Sequence, residues 1–385
     1  MEKPKIRFGK FDNKWKKNKL DKVVDFFDNQ RIPIDSGERK AGPYPYYGAS
    51  GIIDYVDGYI FNGEYVLLAE DGANIILRSS PIAYLSKGKF WLNNHAHIMR
   101  MKTGSNEFLI QLLEKQNYEK YNTGTAQPKL NGEVVKNITL HFPSDEEQFA
   151  IGSLFRTLDD LIASYKDNLI NYQSLKATML SKMFPKAGKT VPEIRLDGFD
   201  AEWEIRKLSE VSEVYDGTHQ TPNYTESGVK FLSVENISTL ESEKYISEED
   251  FEKDFKVFPE FGDVLMTRIG SIGVPNIVKT NEKIAFYVSL ALLKPKKKTN
   301  SLFMKSSIES NPFQEELWKK TLHIAFPKKI NMNDISQSTI KCPSYEEQQA
   351  IGAYFSNLDS LISAHQEKIS QLETLKKKFL QDMFI

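Results

Sequence analysis

Residues 143–184 read PSDEEQFAIGSLFRTLDDLIASYKDNLINYQSLKATMLSKMF, and residues 343–384 read PSYEEQQAIGAYFSNLDSLISAHQEKISQLETLKKKFLQDMF. The two stretches align without a gap at an offset of about 200 residues, with close to half their positions identical. A weaker echo joins PKIRFGKFDNKWKKNKLDKV from Pro4 to PEIRLDGFDAEWEIRKLSEV from Pro192, at an offset of about 188. The chain is therefore two units in tandem, each a body followed by a long helix, and the second body is the larger.

Periodicity identifies the repeats as helices. Ile151, Phe155, Leu158, Ile162, Tyr165, Leu169, Tyr172, Leu175, Met179 and Met183 advance by threes and fours, and the second copy repeats the stripe from Ile351 to Met383. Ser144 and Ser344, followed three positions later by Glu147 and Glu347, suggest capping boxes. At 1.5 Å per residue each helix spans roughly 55–60 Å. So long and narrow a stripe calls for an equally long partner, and the other copy is the obvious one. Periodicity leaves the pair parallel or antiparallel.

Pro185, Gly188 and Pro192 break the chain after the first helix. The bodies carry short β-rich runs closed by glycine or proline, among them GEYVLLAEDG, FLSVENI, GDVLMTRIG and AFYVSLALLKP. Residues 107–118 and 312–321 are the best short helices. The expectation is an α+β chain with two bodies of mixed, bent sheet, divided as 1–142, 143–186, 187–342 and 343–385.

Composition sets limits. With 385 residues, 40% hydrophobic and 27% charged, the chain can bury two cores. No apolar run is long enough for a membrane span, and the charged opening MEKPKIRF is not expected to act as a signal peptide. The single cysteine, Cys342, suits a reducing cytoplasm. A net charge of −1 argues against an indiscriminate coat of nucleic acid, but not against a reader whose lysines share one face. No phosphate-binding GxxxxGK[ST] loop, dinucleotide fingerprint or amino-methyltransferase tetrapeptide is present. His95 and His97 lack an evident third ligand, so no metal site is expected. No catalytic set emerges, and the chain reads as a recognition subunit.

The paired PxxEEQxxIGxxFxxLDxLI segments, PYPYYGASGIIDYVDGYIFNGEYVLLAEDG with KFWLNNHAHIM, and DGTHQTPNYTESGVKFLSVENI with GDVLMTRIGSIG carry a resemblance over essentially the whole chain. The two units resemble the halves of the specificity subunit of Type I restriction-modification systems. The resemblance implies two target recognition domains reading a split, asymmetric site in double-stranded DNA. It also implies antiparallel helices that set the spacer, and two docked methyltransferase subunits. Those partners would methylate adenine N6 with S-adenosylmethionine, and optional restriction subunits would use ATP and magnesium. This chain would bind none of these cofactors.

Candidate DNA contacts follow. Lys129-Leu130-Asn131 and Lys329-Ile330-Asn331 stand before each helix, with a lysine and an asparagine suited to phosphate or base edges. An asparagine there could equally cap a turn. Thr125 and Gln127 join the first set. In the second unit Thr218, His219, Gln220 and Thr221, then Arg268 and Ser271, and Lys328 beside Lys329 are expected at DNA, with Arg268 able to fork onto guanine. Tyr46, Tyr47, Asn93, Asn94 and His95 are weaker choices. Arg7 and Arg195 belong to the scaffold echo. Glu146, Glu147 and Gln148, with Glu346, Glu347 and Gln348, recur at both helix heads and could dock two identical partners. The alternatives are a stand-alone DNA-binding adaptor and a rod-like interaction scaffold.

Overall fold

The structure is a computed structural model that describes residues 3–385. Compactness divides the chain differently from its linear order. Residues up to Lys166 together with Glu367–Ile385 form one unit, and Asp167–Gln366 form the other.

In the first unit β1 (Lys16–Lys19), β2 (Val24–Phe26), β3 (Ala41–Gly48), β4 (Gly51–Val56), β5 (Phe61–Ala69), β6 (Ala83–Leu92), β7 (Ala96–Met101) and β8 (Thr139–Phe142) follow in order. Six of them make one sheet, β2-β7-β5-β6-β3-β4, antiparallel except where β3 lies parallel to β6. β5 is buried from Tyr65 to Ala69, which explains its unbroken apolar run. β1 and β8 pair separately, Lys16 opposite Phe142.

The second unit contains β9 (Glu204–Lys207), β10 (Ser212–Asp216), β11 (Val229–Leu232), β12 (Tyr245–Ile246), β13 (Val264–Thr267), β14 (Pro275–Ile277), β15 (Ile284–Phe286), β16 (Leu290–Pro295) and β17 (Thr339–Cys342). The order β10-β16-β13-β14 reproduces β2-β7-β5-β6, and β9 with β17 reproduces β1 with β8. The units differ in what is added. The first extends its sheet with β3 and β4, whereas the second builds a separate sheet, β12-β11-β15, in which β11 and β15 run parallel. AFYVSLALLKP therefore supplies two strands of two sheets, turning at the Leu290 N–H to Tyr287 carbonyl bond, rather than one strand. The short helices form close to expectation, at Asn106–Glu114 and Asn311–Lys320, joined by one at Ser301–Glu309.

The central helix, Asp145–Lys182, and the distal helix, Tyr345–Asp382, are each 38 residues long. Within the first unit their pairing is antiparallel: Asp159 meets Lys376 at 2.5 Å and Lys166 meets Glu373 at 2.7 Å. Leu158, Ile162 and Leu372 form the apolar seam there. Within the second unit the direction is the same, with Tyr172 on His365 and Lys176 at 2.6 Å from Asp359.

Antiparallel pairing is the physical reason for the unit boundaries. The first core gathers Trp15, Phe108 and Phe155 around Phe384, from the end of the distal helix. The second gathers Trp203, Phe303 and Phe355 around Phe184, from the end of the central helix. Each body is thus closed by the tail of the other copy's helix, and burying each phenylalanine contributes roughly 1.5–3 kcal/mol.

The repeated EEQ and glycine belong to this closure. Glu147 is 1% exposed and accepts two hydrogen bonds from Arg7, both at 2.7 Å; Glu347, equally buried, accepts two from Arg195 at 2.8 and 2.7 Å. Gln348 Oε1 accepts from Asn300 N–H at 3.1 Å, and Gln148 Oε1 from Ser105 N–H at 3.4 Å. Glu147, Gln148, Glu347 and Gln348, expected to face a partner, all turn their side chains into their own unit. Glu146 and Glu346 are exposed. The capping box is half present, since Ser144 and Ser344 accept from the Glu147 and Glu347 N–H groups but each glutamate side chain goes to an arginine. Gly152 and Gly352 permit the close approach, because a Cβ would stand 2.5 Å from Ser105 Oγ and 2.8 Å from Asn300 Oδ1 respectively.

Candidate nucleic-acid interface

In each unit the chain makes a hairpin just before β8 or β17 and fastens it to the end of the central strand. In the first unit Thr123 N–H donates to the Lys129 carbonyl at 2.8 Å, and Asn122 Oδ1 accepts from the Gly124 and Lys129 N–H groups. Gly72 N–H donates to the Pro128 carbonyl and Leu130 N–H to the Glu70 carbonyl. In the second, Leu322 N–H donates to Lys329, Gly270 N–H to Lys328, and Ile330 N–H to Arg268. Gly72 and Gly270 both adopt positive φ, +113° and +81°, where a side chain would be strained. Leu130 and Ile330 are the buried anchors, which leaves the flanking residues on the surface.

Thr125, Gln127 and Lys129 are exposed on the first hairpin. Lys129 Nζ lies 3.4 Å from Glu70 Oε1, so part of its charge is already answered. Asn131 caps the short helix Gly132–Asn137 through the Glu133 N–H, the turn alternative raised by its sequence. Asn331 makes no such cap and donates to Asp334 Oδ2. Beneath the first hairpin lies a buried charged cluster. His97, 1% exposed, has Nδ1 2.7 Å from Asp28 Oδ2 and Nε2 2.8 Å from the Leu130 carbonyl. Burial pushes the Asp28 carboxyl up, but the His97 and Ile98 hydrogen bonds with His97 and Arg31 charge outweigh it and hold it below its ordinary value. Arg31 joins Glu70 at 2.6 Å.

The second unit brings three expected groups together: residues 218–221, 268–271 and 328–331. Thr218 bridges Phe286 and Val288 through its backbone, and exposed His219 lies 2.9 Å from Asp216. Gln220, Thr221, Ser271, Lys328 and Lys329 are exposed. Arg268 departs from expectation. It is 9% exposed; its Nε donates to the Val288 carbonyl at 2.8 Å, its Nη1 to Ile330 at 3.4 Å, and its Nη2 lies 3.5 Å from Asp216. A guanidinium so engaged organises the hairpin; it does not present an open fork to guanine.

The weaker choices divide. Tyr46 and Asn93 are buried, Tyr47 stacks on Tyr84, and His95 pairs with Asp71 at 2.8 Å. Among the described residues no group of three or more metal-ligating side chains is assembled.

Missing from the sequence expectation are Asp28 and Asp216, the acids at the feet of the two hairpins, partly buried at Asp28 and more open at Asp216. Carrying the front echo a few positions further, along KLDKVVDFFD and KLSEVSEVYD, would have reached both at the same offset. Also missing are Trp318, Ile324 and Phe326, which are exposed around the second hairpin.

The family model for the Type I restriction modification DNA specificity domain matches residues 12–172 and again 200–374. The chain belongs to that family. The two matches cover the two bodies and most of both long helices, so this specificity-family chain carries its domain twice. A putative type I restriction enzyme specificity subunit of Haemophilus influenzae is 30% identical over 259 residues, 66% of this chain and 65% of that relative. The type I restriction enzyme MjaVIII specificity subunit of Methanocaldococcus jannaschii is 23% identical over 95% of this chain and 91% of its own length. The fold matches the crystal structure of a type I restriction-modification S subunit from M. genitalium, with a TM-score of 0.71, 14% identity, and 100% and 99% of the two chains covered. Among the described residues no helix of this family member is long and apolar enough to cross a membrane.

Proposed function

We propose that this chain is the non-catalytic DNA specificity subunit of a Type I restriction-modification complex. Each unit reads one half of a split, asymmetric site in double-stranded DNA, and the paired helices set the gap. The observation that carries this reading is the doubled specificity domain, whose two hairpins hang from equivalent strand ends yet present different residues. Two equal scaffolds with unequal surfaces suit two unequal half-sites.

First-unit contacts come from Thr125, Gln127 and Lys129; second-unit contacts from Thr218, His219, Gln220, Thr221, Ser271, Lys328 and Lys329. Arg268 and Asn131 support these loops, and Asn331 sits at the edge of the second. Two methyltransferase subunits dock on the repeated scaffold, where Glu146 and Glu346 remain exposed. Those partners supply S-adenosylmethionine chemistry on adenine N6, the target base leaving the stack for the partner's pocket. Restriction subunits, where present, add ATP-dependent cleavage. The assembly works in the cytoplasm.

The test is co-expression with the neighbouring methyltransferase gene in a host free of adenine methylation, followed by single-molecule mapping of N6-methyladenine. A split motif with a fixed gap is the expected result. An unmethylated genome, with the partner folded and bound, would replace this reading with a scaffold role.

A further inference from the structure

The second hairpin ends in an apolar tip. Ile324 and Phe326 are exposed in full, with exposures of 100% and 103%. They are held outward rather than left loose. His323 packs on Trp318, ring centroids 4.1 Å apart, with its Nε2 2.9 Å from the Trp318 carbonyl. From the far side of the loop Lys328 places its ammonium 5.0 Å over the same indole. Leu322 N–H closes the base on the Lys329 carbonyl, and the Ala325 N–H to Leu322 carbonyl bond turns the tip. Trp318 is thus a post gripped from both ends of the loop, with Ile324 and Phe326 beyond it. The matching tip of the first unit has Thr125, Ala126 and Gln127 instead.

We infer that Phe326, with Ile324 beside it, is a wedge that enters duplex DNA at the half-site of the second unit and unstacks a base step there. The inference rests on the DNA-reading function proposed above. Two observations favour DNA over a protein as the occupant. The neighbouring cations Lys328 and Lys329 match a phosphate backbone, and apolar residues beside cations are the composition that wedges DNA open. Moreover, a surface that docks two identical partners has to recur in both units, and this tip does not recur. What differs between the units suits what differs between the half-sites. The first unit reads its half with polar groups on undistorted DNA, whereas the second reads partly through the deformability of a step, favouring pyrimidine–purine sequences.

The experiment uses the assembled methyltransferase complex and the duplex motif obtained from the methylation map. 2-Aminopurine is placed in turn at each position of both half-sites except the methylated adenine, and fluorescence and affinity are measured together. The expected result is a fluorescence rise at one step of the second half-site only. Phe326→Ala should abolish the rise and weaken binding roughly 5- to 100-fold, while Phe326→Trp retains both. Tight, specific binding without a rise at any position would overturn the wedge and leave the two-reader function standing. Loss of the methyltransferase subunit from the Phe326→Ala complex would overturn it in favour of a protein contact. Failure to obtain any motif would remove the DNA-reading function itself.

Discussion

The Arg195 guanidinium holds Glu347 by two hydrogen bonds of 2.8 and 2.7 Å and, through Nη2, also donates to the Ala201 carbonyl at 2.6 Å. Arg7 repeats the arrangement on Glu147 and the Asn13 carbonyl. The glutamate hydrogen bond raises both arginines above their ordinary value, against the opposing effect of burial. Each pair ties the segment entering a body to the head of the long helix leaving it. Removing one partner leaves the other buried and unanswered, so Arg195→Ala should cost roughly 3–5 kcal/mol. Urea unfolding of the two single variants and of Arg195→Ala/Glu347→Ala measures this. If the double variant loses as much as the singles combined, the pair is not coupled.

Gly352 sets helix propensity against space. Alanine there would favour the helix by about 1 kcal/mol. Its Cβ, however, would stand 2.8 Å from Asn300 Oδ1, Leu302 Cβ and Phe303 N. Overpacking against a capped helix start outweighs propensity, and Gly352→Ala should destabilise by about 1–3 kcal/mol. A raised melting temperature would show that the neighbouring helix yields.

Four charges interlock in the second unit: Lys176 and Lys305 each contact both Glu309 and Asp359, at 2.6–2.8 Å. Burial pushes the Asp359 carboxyl up, but hydrogen bonds from Lys176 and Lys305, with their charge, pull it below its ordinary value. A depressed carboxylate adds stability above its unfolded value of about 3.9 and loses it as pH falls through the folded value. Lys176 is raised, although burial alone would lower it, because Glu309 and Asp359 favour its charge. Its contribution is complete below the unfolded lysine value of about 10.4 and is lost as pH rises through the folded value. Asp359→Asn should therefore flatten the acid limb of the stability profile. An acid limb unchanged from wild type would exclude the network as its cause.

Cys342 ends β17 in the second core, where burial pushes its thiol up to about 12. At pH 8 the thiolate is scarce, and alkylation should be slow in the native protein and fast in denaturant. Rapid native labelling would mean that β17 opens readily.

The long helices were legible because a repeat and a period of 3.6 state the same thing twice. Their direction was not, since the seam of Leu158, Ile162 and Leu372 is apolar in either orientation. Antiparallel pairing, which came only with the family resemblance, also moves Phe384 into the first core and redraws the units. Glu147 read as half of a local cap because its real partner, Arg7, stands 140 positions away. Arg268 read as a loop arginine because the glycine and serine after it look exposed, and they are. Its own side chain turns inward to carbonyls at positions 288 and 330, contacts that only the folded hairpin creates. Phe326 passed unnoticed for the opposite reason, since an apolar residue beside a proline is ordinarily taken for core.

Lys129 and Arg268 now part company in what their loss should do. Lys129 is exposed at the hairpin edge, so Lys129→Ala should spare folding while weakening DNA binding by the complex. Its salt slope should shrink by about one unit if the ammonium meets a phosphate. Arg268→Ala should instead leave the Val288 and Ile330 carbonyls without their donor and remove an ion pair from Asp216, lowering the melting temperature before any effect on sequence choice. Methylation mapping with both variants, alongside thermal unfolding, separates the roles. A stable Arg268→Ala protein that relaxes a single base of the second half-site would restore the arginine to the DNA surface. A Lys129→Ala complex with unchanged affinity and salt slope would take the first hairpin's lysine off it.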